Sequence, residues 1–167
     1  MKRILSISVL LLFSSMVFLS AESITDSQKS QLVFLFEEEK LARDVYMAMG
    51  EKWGLRVFDN ISMAEINHME HVKDLAYDYG LSLTELPPGE FNNQDLKDLY
   101  NSLIEKGVKS LKDALEVGRL VEETDISDID KLLADNPDED MLFVLNNLRR
   151  GSENHLRAFN RQLDFYN

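Results

Sequence analysis

The spacing of apolar residues along the chain predicts an all-α protein. Between about residues 30 and 52, apolar side chains recur every three or four positions, as on the buried face of a helix. They are Leu32, Leu35, Phe36, Ala42, Tyr46 and Met49. A second stripe predicts a helix from near Val57 to Gly80 and consists of Phe58, Ile61, Val72 and Leu75. No segment shows the sustained alternation that strands require.

Three more helices are predicted after the break at Pro87-Pro88-Gly89. The first is short, over about residues 93–106, and the next two are long, over about 110–134 and 138–165. Asn136 as the N-cap and Pro137 at the first helical position predict the start of the last helix. Four long helices with a short fifth in the connection between the second and third are typical of a ferritin-like four-helix bundle.

The first residues of the chain predict export. Lys2 and Arg3 precede an apolar run over residues 4–19, and Ser20-Ala21 follow it, as in a secretory signal peptide. The run is short for a membrane span, although an uncleaved anchor is the alternative. We predict a signal peptide over residues 1–21, a polar tether over 22–29 and a helical domain over 30–166. The mature protein would lie in the periplasm or the medium, without a stable membrane span.

The charge and the lack of cysteine narrow the range of partners. The chain has 30 acidic and 18 basic residues and a formal net charge of −12, so a nucleic acid would be repelled and metal ions would be attracted. Without cysteine, disulfides and thiolate zinc sites are excluded. A bound metal must therefore have oxygen and nitrogen ligands, which favours iron, manganese or zinc over copper(I).

Acidic residues and a histidine interrupt the apolar stripes of the first two helices. Glu39 shares the face of Phe36 and Tyr46, where an unpaired carboxylate costs several kcal/mol unless a cation or a hydrogen bond compensates. Glu65 and His68, three residues apart, lie on one helix face and can reach one ion. Ser62 and Glu65 also fit a capping box, which would place Glu65 in the first turn of its helix. The stripe beginning at Phe58 favours an earlier helix start.

The third and fourth long helices contribute further candidate ligands. Glu122 shares a face with Leu115 and Ile129, and Glu123 is the second choice. His155 shares a face with Leu148 and Phe159. We therefore predict that five residues bind metal: Glu39, Glu65, His68, Glu122 and His155. Three others are expected to support the site: Tyr46 by donating a hydrogen bond to a ligand carboxylate, Asp125 by adding an oxygen, and Ser152.

Two segments resemble known helix signatures of rubrerythrins. The segment EEEKLARDVY matches the first-helix pattern Glu-x-x-Ala-Arg-x-x-Tyr with Glu39, Ala42, Arg43 and Tyr46. The segment VFDNISMAEINHM resembles the second-helix signature, with Glu65 and His68 in register. Residues 32–159 more closely resemble a prokaryotic ferritin-like family known as a domain of unknown function, through the segments GRLVEETDISDID and GSENHLRAF. The resemblance implies a four-helix fold and a di-iron site.

Two hypotheses for the function follow. In the first, the protein binds two iron ions in the cell envelope and reacts with oxygen or peroxide. Glu39 and His68 bind one ion, Glu122 and His155 bind the other, and Glu65 bridges them. In the second, it is a non-catalytic helical module with a degenerate site, because Ser152 stands where a second Glu-x-x-His motif requires Glu. Whether the protein is an enzyme stays open. A homodimer through an exposed helix face is compatible with both hypotheses.

Overall fold

The structure, a computed structural model, describes residues 24–166, and this part of the chain is helical. The helices are α1 (Asp26–Trp53), α2 (Arg56–Asp78), α3 (Gln94–Gly107), α4 (Leu111–Ala134) and α5 (Glu139–Leu163), followed by a 3-10 turn at Asp164–Tyr166. The predicted all-α class is confirmed for these residues. The predicted signal peptide lies outside the described residues. Within them, no helix is both long enough and apolar enough to cross a bilayer.

Helix α1 begins earlier than predicted because a polar capping box starts it. The hydroxyl of Thr25 accepts a hydrogen bond from the backbone N–H of Gln28, and the side chain of Gln28 accepts one from the backbone N–H of Thr25. This reciprocal cap needs no apolar periodicity. The prediction of a tether over residues 22–29 is therefore wrong for residues 26–29, which belong to the helix. Gly54, with φ of 63°, is the C-cap and ends the helix.

Helix α5 is capped by a different residue from the predicted one. Asp138 is the N-cap, and its Oδ1 accepts a hydrogen bond from the backbone N–H of Met141 at 2.9 Å. Asn136 instead has φ of 50°, in the left-handed region. A residue that precedes proline is disfavoured in the right-handed helical region, and asparagine tolerates the left-handed one. Asn136 therefore turns the chain, and Asp138 starts the helix.

The four long helices surround two apolar clusters. Helix α1 packs mainly on α2, α4 packs mainly on α5, α2 also contacts α5, and α1 also contacts α4. Helix α3 covers α1 and α4. The first cluster contains the mutually packed rings of Tyr46, Phe58 and Phe159, with centroids 5.2–6.5 Å apart. The second cluster contains Leu35, Val72 and other residues nearer the start of α1. A polar layer lies between the two.

Candidate metal centre

Six titratable side chains from the four long helices form this buried polar layer, which we call the central cluster. Each has a relative exposure of 9% or less. Helix α1 provides one member, α2 and α4 provide two each, and α5 provides one. The members are Glu39, Glu65, His68, Glu122, Asp125 and His155. The structure thus brings together all five residues that the sequence predicted as ligands, with Asp125 beside them.

The carboxylate of Glu65 lies between the two imidazole rings. Its Oε2 is 2.7 Å from Nδ1 of His68, and its Oε1 is 2.9 Å from Nδ1 of His155. Nδ1 of His68 is also 3.1 Å from Oε2 of Glu39, and Nδ1 of His155 is 3.5 Å from Oε2 of Glu122. The two rings stack with centroids 5.3 Å apart. Glu65, His68 and His155 offer ligand atoms within 4.8 Å of one another, so this trio could hold a metal ion.

Several polar atoms of the central cluster find no hydrogen-bond partner among the described residues. They are Oε1 of Glu39, Oε1 of Glu65, Oδ1 of Asp125 and Nδ1 of His155. Oε1 of Glu65 and Nδ1 of His155 are only 2.9 Å apart, yet they lack hydrogen-bond geometry. Two ligand atoms at about 2.1 Å from one ion lie about 3 Å apart. Since buried polar atoms are normally paired, this donor set fits a cation.

The carboxylates of the cluster hold protons on the imidazoles. Burial lowers the pKa of His68, but the neighbouring carboxylates of Glu39 and Glu65 outweigh burial and raise it to about 11. Burial likewise lowers the pKa of His155, while Glu122 and Glu65 raise it to about 10. Burial raises the pKa of Glu65, but the two imidazoles outweigh it and lower that pKa to about 2. Each imidazole is thus positive beside Glu65, in the place that a metal ion would compete for.

The other carboxylates resist ionisation. Burial raises the pKa of Glu39 to about 7, although His68 lowers it. Burial, together with the charge of Glu65, raises the pKa of Glu122 to about 8. Burial and then Glu39 raise the pKa of Asp125 well above its ordinary value. Four carboxylates share two imidazoles here, so they cannot all ionise at once, and a bound cation would let more of them lose their protons.

Two hydroxyl groups donate hydrogen bonds to carboxylates of the cluster, and for Tyr46 this is the contact expected from the sequence. The hydroxyl of Tyr46 donates to Oε1 of Glu122 at 2.6 Å. The hydroxyl of Ser152 donates to Oδ2 of Asp125 at 2.5 Å. A second Glu-x-x-His motif would have its carboxylate at position 152. Here the carboxylate of Asp125, on the neighbouring helix, lies against Ser152 instead.

The sequence left two questions open: whether Ser62 caps α2, and whether Glu122 or Glu123 is the candidate ligand. The start of α2 and the exposure of the two glutamates answer them. Helix α2 begins at Arg56, and the hydroxyl of Ser62 donates to the backbone oxygen of Asp59, so Ser62 is not the N-cap. Glu122 is buried, whereas Glu123 is exposed and lies 3.9 Å from Arg119. Glu123 is therefore no candidate ligand.

Gly151 is a residue of the site that sequence reasoning missed. A Cβ added at this glycine of α5 would lie only 2.3 Å from Nε2 of His68. The ring of His68 therefore packs directly against the backbone of α5. Any side chain at position 151 would occupy the same space as the ring. A glycine inside a helix costs about 1 kcal/mol relative to alanine, so its presence there was a signal of close packing.

A second buried set of charges on α1 was also missed, and we call it the loop anchor. It consists of Glu37, Lys40, Arg43 and Asp44. Nζ of Lys40 donates to Oδ2 of Asp44 at 2.6 Å and to the backbone oxygens of Pro87 and Glu90, each at 3.0 Å. These bonds tie the connection between α2 and α3 to the side of α1.

The other members of the loop anchor complete this attachment. The guanidinium of Arg43 donates to Oδ1 of Asp44 at 2.7 and 3.0 Å, and Oδ2 of Asp44 accepts from the backbone N–H of Gly89 at 2.9 Å. The carboxylate of Glu37 accepts from the backbone N–H groups of Asn92 and Asn93, each at 2.9 Å. Because every one of these charges has a partner, the loop anchor is structural.

Comparisons with known proteins agree with one another. Residues 28–166 match the family described as an uncharacterized protein domain, DUF2202. The chain is 43% identical over 150 residues to the uncharacterized protein MJ0754 of Methanocaldococcus jannaschii, covering 89% of this chain and 81% of the relative. The crystal structure of hypothetical protein MJ0754 from that source matches with a TM-score of 0.84, covering 86% of this chain and 83% of that one.

Proposed function

This chain belongs to the DUF2202 family, and from that premise we propose that it is a ferritin-like protein that binds two metal ions in its central cluster. The observation that carries the proposal is the position of Glu65, whose two carboxylate oxygens each face one imidazole nitrogen at 2.7 and 2.9 Å. Such a carboxylate can offer one oxygen to each of two ions, and each ion also has a histidine beside it. This is the ligand pattern of paired iron in helical proteins.

The proposed ligands divide into two groups around Glu65. Glu39 and His68 bind the first ion, since Oε2 of Glu39 and Nδ1 of His68 are 3.1 Å apart. Glu122 and His155 bind the second ion, and Oε2 of Glu122 and Nδ1 of His155 are 3.5 Å apart. Asp125, with an unpartnered Oδ1, supplies the additional carboxylate oxygen that α5 lacks at Ser152.

Iron is the metal that we propose, with manganese or zinc as alternatives, because the available donors are carboxylate oxygen and imidazole nitrogen. Iron bound here would supply one-electron chemistry towards oxygen or peroxide. The residues of the chain would fix the ligand orientation through Tyr46 and exclude bulk water, since the cluster is buried between two apolar clusters. We also propose that the protein is exported to the cell envelope, which rests on the residues 1–21 alone.

A non-catalytic metal-binding module is the second candidate. The trio Glu65, His68 and His155 is sufficient to hold a single ion, and that observation alone favours it. A single ion would stabilise the packing of α2 on α5 and would need no reaction with oxygen. The two candidates differ in stoichiometry and in oxygen consumption.

An anaerobic titration with iron(II), followed by exposure to oxygen, tests the proposal. We expect two ions per chain and oxygen uptake on exposure. The Glu65→Gln variant should lose at least about a hundredfold in affinity, because even the partners of metal ligands contribute 10–100-fold. Glu70→Gln, an exposed change of the same kind on α2, is the matched control and should bind normally.

One ion per chain without oxygen uptake would support the second candidate. Absence of any binding to the wild-type protein, or full binding to Glu65→Gln, would contradict both.

A further inference from the structure

Glu38 lies between two spaces on the α4 side of α1. The outer one is a depression of about 590 Å³, largely open to solvent, and it is lined by Glu38, Asp128 and Lys131 among others. The inner one is a narrow cavity of about 30 Å³ between α1, α3 and α4, and it is lined by Glu38 and Asp125 among others. Glu38 therefore borders both the solvent side and the interior.

Three acidic side chains lead from the surface to the central cluster. The side chain of Asp128 is 23% exposed and lies 2.5 Å from Nζ of Lys131, which is itself mostly exposed. Asp128 and Glu38 line the same outer depression, and Glu38 and Asp125 line the same inner cavity. Asp125 is itself a buried member of the central cluster, together with Glu39.

Two oxygens along this line find no hydrogen-bond partner among residues 24–166. They are Oε2 of Glu38 and Oδ1 of Asp125, and Asp125 is only 9% exposed. The rest of the inner cavity wall is leucine, alanine and valine, together with Thr124, whose hydroxyl donates to the backbone oxygen of Leu120 instead. Unpartnered buried oxygens are costly, and a passing cation would satisfy both of them.

We propose that Asp128, Glu38 and Asp125 form the route by which a divalent metal ion enters the central cluster. This inference rests on the proposed function. Each carboxylate receives the ion from the one before it, so the ion exchanges bound water for carboxylate oxygen in steps.

The rate of cobalt(II) uptake, measured by its visible absorption in a stopped-flow instrument, tests this route. Charge that guides an ion to its site raises association rates by about 10–1000-fold. We expect Glu38→Gln and Asp128→Asn each to slow uptake by about tenfold or more. Release to a chelator should slow equally, so that stoichiometry and affinity stay unchanged. Asp128 is near the surface, so its variant is informative even if the change at Glu38 disturbs folding.

Glu51→Gln is the matched control, since it removes one exposed carboxylate from the same helix at a distance from the route. It should leave the rate unchanged. Equal rates in the wild type and both route variants would overturn the route alone, as would equal slowing in Glu51→Gln. A wild-type protein that binds neither cobalt(II) nor iron(II) would overturn the proposed function, and the route with it.

Discussion

Helix α1 contributes to two buried charged groups that differ in how their charges are balanced. In the loop anchor, Lys40 and Arg43 face Asp44, and Glu37 is satisfied by backbone N–H groups. No fully buried side-chain nitrogen or oxygen of the loop anchor lacks a hydrogen-bond partner within the described part of the chain. In the central cluster, four carboxylates share two imidazoles, and four atoms lack a partner there.

This difference distinguishes a structural network from the proposed ligand site. Both groups are equally buried, so burial of charge does not distinguish them. A buried charge is tolerated when each polar atom is paired, and removing one partner then leaves the other charge uncompensated. Unpaired atoms that are all possible metal ligands, three carboxylate oxygens and one imidazole nitrogen, instead fit a group that could hold a cation from outside the chain. The two groups should therefore respond in opposite ways to mutation and to metal.

The largest effect is expected from Asp44→Ala in the loop anchor. This change removes the acceptor of Lys40, Arg43 and the N–H of Gly89 together, and breaking a buried ion pair costs about 3–5 kcal/mol. Urea denaturation should show that loss in the free energy of unfolding, with and without metal. Asp74→Ala, an exposed change on α2, should stay within about 0.5 kcal/mol of the wild type. A loss below about 1 kcal/mol in Asp44→Ala would mean that the anchor is not structural.

The sequence predicted the central cluster better than the loop anchor, and the reason is local geometry. Glu39, Glu65 and His155 interrupt apolar stripes, and helical periodicity alone places such positions on the buried face. Apart from Lys40 and Arg43 on the same helix, the partners of Asp44 and Glu37 include backbone groups of a loop 45–56 residues away. Their position depends on the path of that loop, which no local pattern contains. The contact of His68 with Gly151 likewise depends on how two helices approach each other.

The next effect in size is expected from Tyr46→Phe in the central cluster. The variant loses the hydrogen bond to Glu122 at 2.6 Å, and loss of such support lowers metal affinity about 10–100-fold. Competition against a chelator of known affinity measures the change. Tyr100→Phe, a half-buried tyrosine on α3 outside the cluster, serves as the control and should bind metal as the wild type does. Unchanged affinity in Tyr46→Phe would show that Glu122 does not bind the ion.

The smallest effect is expected from Gly151→Ala. The added Cβ would lie 2.3 Å from Nε2 of His68, so the ring must turn away from its place beside Glu65. We expect metal affinity to fall by about tenfold, at the low end for disturbed ligand orientation. The free energy of unfolding without metal should change by less than about 1 kcal/mol, because alanine is the better helix former. Equal losses of affinity and stability would instead indicate general damage to packing.

The most direct test of the central claim is anomalous X-ray diffraction from crystals grown with iron(II) or cobalt(II), measured on both sides of the absorption edge of the metal. The account predicts two peaks about 3.5–4 Å apart, the spacing of paired metal sites. One peak should lie about 2.1 Å from Nδ1 of His68 and the other at the same distance from Nδ1 of His155, with one oxygen of Glu65 bound to each. Anomalous density confined to surface acids, with none at Glu65, would contradict it.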